Sequence, residues 1–130
     1  MLILTIRTDK PEAEIALYDD LKKLADKKWQ AHRQLAETLH TEIKLLLEGQ
    51  KREWPDIQGI ICYQGPGSFT GLRIGLTVAN SLAYSLKVPI IGTTGDDWQK
   101  TGVEKLGKGE NQRVVKPEYG AEAHITQPKK

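Results

Sequence analysis

A short apolar run, Ile57 to Tyr63, breaks into Gly65-Pro66-Gly67-Ser68-Phe69-Thr70-Gly71 and then into a helical pattern, and this juncture constrains the fold more than any other stretch. The run is too short to be read as a helix and suits a central strand buried on both faces. Strand, glycine turn and helix in that order are the parts of an α/β unit. The helix is predicted from about Gly71 to Leu86, and Val88 to Ile91 returns to strand. Upstream, Leu2 to Ile6 and Ala13 to Tyr18 are β-forming runs on either side of the turn-prone Asp9-Lys10-Pro11, which predicts a hairpin. A charged third strand within Leu24 to Gln30 suits an exposed edge. Leu35, Leu39, Ile43, Leu46 and Leu47 then recur at helical spacing until Gly49, giving an amphipathic helix. The expected domain is α/β, with a mixed sheet and the order β-β-β-α-β-α-β over residues 1–94.

Beyond Thr94 the hydrophobic periodicity fades, and residues 95–130 read as a mostly irregular tail in which Val114, Val115 and Tyr119 are candidates to dock on the domain or on a partner. The Pro128-Lys129-Lys130 end is expected to be mobile. With 130 residues, 38% of them hydrophobic, the chain can build a real core. A formal net charge of +2 is too small to hold nucleic acid tightly by phosphate neutralisation, so any RNA contact would need a partner's help. No apolar stretch reaches the ~20 residues that span a bilayer, and Met1 to Ile6 is too short and too quickly followed by charge to read as a signal peptide. A cytoplasmic protein is expected.

Two readings of the glycine loop stay open. Backbone N–H groups of Gly65, Gly67, Ser68, Thr70 and Gly71 at a helix N-terminus form a candidate phosphate loop. Alternatively the glycines simply make the turn while Ser68 or Thr70 caps the helix. The loop lacks the Lys-Ser/Thr pair of a P-loop, and Pro66 stands where a nucleophile elbow needs glycine. Along the following helix Gly71, Gly75, Ala79 and Ala83 recur every four residues, a strip of small side chains that another backbone could approach closely. The strip belongs either to the chain's own core or to a partner interface. His32, His40 and His124 show no metal-binding spacing, and Cys62 inside the apolar run predicts a buried, inert thiol. No catalytic residue, metal or cofactor is assigned.

The run Gly65-Pro66-Gly67-Ser68-Phe69-Thr70-Gly71-Leu72-Arg73-Ile74-Gly75 resembles the signature of the TsaB (YeaZ) family of tRNA threonylcarbamoyladenosine biosynthesis. Weaker likeness extends from Leu2 to Thr94 and includes His32, Leu35 and Val88-Pro89-Ile90-Ile91-Gly92, and Pro117-Glu118-Tyr119 resembles the family's closing segment. The resemblance implies an actin-like, RNase H-like (ASKHA) domain, in a short form without most of the family's second domain. It implies a non-catalytic scaffold that binds the catalytic subunit TsaD as a heterodimer, meets tRNA only within the complex, and leaves room for a TsaE-like ATPase. The family pairs through its two helices, which assigns the interface here to Leu35, Leu39, Ile43, Leu46, Gly71, Arg73, Gly75, Ala79 and Leu82. A homodimer through the same helices and a weak phosphate-binding protein are the alternatives. Where relatives begin with an Ile-Asp-Thr-Ser type turn, this chain has Ile6-Arg7-Thr8-Asp9, and an arginine cannot bind Mg²⁺.

Overall fold

A computed structural model describes residues 1–31, 34–67 and 69–118; His32, Ser68, Tyr119 and His124 lie outside the described residues. Three strands open the chain: β1 (Leu2–Arg7), β2 (Glu12–Asp19) and β3 (Lys22–Gln30). Helix α1 (Leu35–Gly49), strand β4 (Gly59–Tyr63), helix α2 (Phe69–Leu86), strand β5 (Ile90–Thr93) and helix α3 (Trp98–Gly107) follow. The strands form one sheet in the order β3-β2-β1-β4-β5. The hairpin strands pair antiparallel, Ile6 opposite Ile15, whereas β1, β4 and β5 run parallel, Ile6 beside Cys62 and Cys62 beside Gly92. Every residue of β4 is buried, as its uninterrupted apolar sequence requires of a central parallel strand. Strand β3 lies at the edge with most of its side chains exposed, so its lysines serve both solubility and protection from edge-to-edge pairing.

Alternation along the strands divides the core between two faces. Leu4, Ile6, Ile60, Cys62 and Ile90 pack beneath α1 and α2 with Leu39, Ile43, Leu47, Leu76 and Ala79. Ile3, Ile61, Tyr63 and Ile91 point the other way, where Trp98, Val103 and Leu106 of α3 cover them. This third helix corrects the expectation of an irregular stretch after Thr94. Its apolar residues are few and its first turn is Trp-Gln-Lys-Thr, so its helical signal is weak. Tertiary burial supplies what periodicity does not: Trp98 is 3% exposed and meets the Tyr63 ring edge-on at 5.8 Å, while Gly102 lets the helix backbone settle onto Ile61. Trp54, expected to pack a loop, sits in a 3₁₀ turn and stacks on His40 at 4.8 Å between ring centroids.

Candidate functional site

At the carboxyl ends of β1, β4 and β5 three segments converge: the β1–β2 turn, the glycine loop before α2, and an irregular strap, residues 111–118, that returns from α3. Open α/β sheets place their ligands at this edge. Here the chain's own backbone fills it. The Glu118 carbonyl oxygen packs against Gly65, whose φ of +125° suits glycine, and a Cβ at Gly67 would collide with the Asp9 side chain. The loop glycines Gly65 and Gly67 thus allow the chain to approach itself closely; Thr70 is exposed.

Arg7, the departure from the family's opening turn, has a structural role. Its Nε and Nη2 donate to both carboxylate oxygens of Asp9 at 2.7 and 3.1 Å. Its guanidinium carbon stands 3.9 Å from the centroid of the Tyr63 ring, in cation–π range. The hydrogen bond to Asp9 raises the Arg7 guanidinium above its ordinary pKa, so the arginine keeps its charge. Asp9, 8% exposed, is committed to Arg7 rather than left to face a ligand. Among the described residues no group of three or more His, Cys, Asp and Glu side chains is arranged to hold a metal ion. Cys62 is buried, and desolvation pushes its thiol up to about 12, which leaves it protonated and inert.

The small-residue strip turns inward. Ala79 and Ala83 are buried in the core beneath α1 and α2, and Gly75 is where Thr8 reaches the helix. The Thr8 hydroxyl donates to the Gly71 carbonyl at 2.7 Å, so the strip is the seat of the β1–β2 turn. Leu35, Leu39 and Ile43 are likewise buried in the chain's own core. Five of the nine residues expected at a partner surface, Leu35, Leu39, Ile43, Gly75 and Ala79, therefore offer no surface in this state. Leu46, Gly71 and Leu82 are half-buried and Arg73 is exposed. What the helix pair does present is a groove of about 270 Å³ lined by Ala36 of α1 and by Thr70, Arg73, Ile74, Thr77 and Val78 of α2. Sequence reading missed Ala36 and Thr77. Their signal is position alone: Thr77 lies away from the buried stripe of α2, and Ala36 is an exposed residue in the first turn of α1.

A family model described as "TsaD: tRNA N6-adenosine threonylcarbamoyltransferase" matches residues 29–94, which include α1, β4, α2 and β5. A RuvC from T. thermophilus in complex with Holliday junction substrate superposes with a TM-score of 0.53 at 13% identity, covering 95% of this chain and 87% of that one, a likeness of fold alone. The chain is thus a member of the actin-like, RNase H-like class of α/β proteins. A protein called tRNA threonylcarbamoyladenosine biosynthesis protein TsaB from Escherichia coli (strain K12) is 30% identical over 117 residues, 82% of this chain and 48% of that protein. One of the same name from Buchnera aphidicola (subsp. Acyrthosiphon pisum, strain APS) is 32% identical over 97 residues, 72% of this chain and 42% of that protein. The structure of YeaZ from Pseudomonas aeruginosa superposes with a TM-score of 0.66 at 26% identity, covering 72% of this chain and 43% of that one. The chain belongs to the TsaB/YeaZ family and spans about half the length of the curated relatives it matches.

Proposed function

We propose that this chain acts in threonylcarbamoyladenosine formation on tRNA as a non-catalytic scaffold, binding a TsaD-like catalytic subunit through the outer side of α1 and α2. The observation that carries the reading is the groove between these helices, half-buried at Ile74 and Val78 and open at Ala36, Thr70 and Thr77. An apolar cleft between two helices is a seat for helices of a partner. A TsaD-like protein shares the 29–94 region, so it carries an equivalent helix pair, and two such pairs can meet in a pseudo-symmetric bundle. The scaffold role is supported by the carboxyl-end crevice, where Asp9 is bound to Arg7 and the Glu118 carbonyl packs against Gly65.

The test is co-expression with the TsaD of the same genome, read by size-exclusion with light scattering, beside Ala36→Arg and Thr77→Arg. Both positions are exposed, so the variants keep the fold, and circular dichroism checks this. A one-to-one complex that either substitution abolishes supports the proposal. A complex indifferent to both, or a homodimer alone, overturns it. Modification itself is read by nucleoside mass spectrometry of tRNA from a strain that depends on the variant chain.

A further inference from the structure

The strap at residues 111–118 is held by side-chain amides and backbone groups of other elements and by its own Asn111 and Gln112 side chains. Asn80, midway along α2, both accepts from the Val115 N–H and donates to the Val115 carbonyl, each at 2.9 Å, so a single amide pairs with a residue as a neighbouring strand would. Gln64, just past β4, repeats the device in two parts. Its side-chain Nε2 donates to the Lys116 carbonyl at 2.7 Å, and its backbone carbonyl accepts from the Glu118 N–H at 2.8 Å. At the head of the strap the Ile90 carbonyl accepts from the Gln112 N–H at 2.9 Å. The one side chain of the strap that is sunk into the domain is Val115, 2% exposed, whose Cγ1 occupies the space left by the missing side chain of Gly92. Lys116 and Glu118 stay exposed.

We propose that Gln64, Asn80, Ile90 and Gly92 form a peptide-binding site that reads backbone amides and one small β-branched side chain, and that residues 111–118 are its occupant in cis. Such strand addition draws affinity from main-chain hydrogen bonds and specificity from the pocket for a single residue. The Ile90 and Gly92 N–H groups donate to the side-chain oxygens of Asn111 and Gln112, so the chemistry fits a segment carrying these amides four and three residues ahead of a valine in register with Asn80. The occupant that fits in trans is the same segment of a second copy. Tethering keeps the cis segment at an effective concentration of the order of millimolar, so the intact chain excludes competitors.

The experiment weakens the cis strap and offers it back in trans. The full chain carrying Val115→Ser keeps the site but loses the anchoring side chain. A labelled synthetic peptide of residues 110–118 is titrated against this chain, the unaltered chain and the double variant Val115→Ser, Asn80→Ala, with anisotropy as the readout and circular dichroism as the folding check. The peptide is expected to bind the Val115→Ser chain at least about tenfold more tightly than the unaltered chain, from the burial of one valine. It should lose that affinity against the double variant, and a peptide itself carrying Val115→Ser should bind neither. Absence of binding to a folded Val115→Ser chain, or binding that ignores Asn80→Ala, overturns the proposal.

Discussion

Replacing Gly75 with alanine decides between two opposed expectations. By helix propensity alone, alanine in the interior of α2 gains about 1 kcal/mol over glycine. The structure reverses the sign. A Cβ at position 75 overlaps the Thr8 hydroxyl oxygen and comes within 2.9 Å of Thr8 Cβ and Cγ2. Thr8 is 2% exposed and its hydroxyl is already committed to the Gly71 carbonyl at 2.7 Å. If the threonine rotates away, a buried hydroxyl is left unpaired at about 1–3 kcal/mol. If α2 shifts off the β1–β2 turn instead, overpacking costs a similar 1–3 kcal/mol. Set against the propensity gain, either route leaves Gly75→Ala destabilised by up to about 2 kcal/mol, and a combination of the two by more. Urea titration followed by far-ultraviolet circular dichroism measures this, with an unchanged slope confirming that the denatured state is the same. In a Thr8→Gly background the obstruction is gone, and the same substitution is expected to be neutral or to stabilise by up to about 1 kcal/mol. An alanine variant more stable than its parent by about 1 kcal/mol in the unaltered background, the full propensity gain, would refute the inward orientation of the small-residue strip. The result also governs how interface variants are chosen, because a Gly75 substitution that abolishes a complex by loosening the fold says nothing about the partner surface.

Three further outcomes are expected. Thr5 carries a buried hydroxyl without a hydrogen-bond partner, so the near-isosteric Thr5→Val should stabilise the chain by about 1 kcal/mol in the same urea assay. Trp98→Ala should cost about 3–5 kcal/mol and raise amide exchange throughout α3, because that side chain is the helix's main anchor to the sheet. Burial raises the Cys62 thiol from 9.0 to about 12, so above pH 9 the unfolded chain sheds a proton that the folded chain retains. Stability is therefore constant from this group below pH 9 and falls between pH 9 and 12, a dependence that Cys62→Ala removes, and native protein at pH 8 should be silent to a thiol reagent.

How much of this was legible in the sequence follows from the kind of signal each element carries. Strand β4 and the β1–β2 hairpin were readable because burial on both faces, or a turn between β-forming runs, leaves a local trace. The stripe Leu35, Leu39 and Ile43 was readable as apolar, and it is buried. Its neighbour was not, since periodicity says that a face is covered and not by what. The same ambiguity holds for α2: Gly71, Gly75, Ala79 and Ala83 announce a close approach, and what approaches is the Thr8 side chain at Gly75 and the chain's own core at Ala79 and Ala83. Helix α3 was missed because Trp98, Val103 and Leu106 are too few to make a period, and Asn80 and Gln64 were missed because an amide that grips a backbone dozens of residues away leaves no local pattern. The carboxyl-end crevice shows the limit most clearly. Its loop glycines look like a ligand loop in sequence, yet Gly65 accommodates Glu118 and Gly67 accommodates Asp9. Surface for a partner is therefore sought at exposed Ala36, Thr70 and Thr77, where the local pattern is weakest, because Leu35, Leu39, Ile43, Gly75 and Ala79 are already used to hold the domain together.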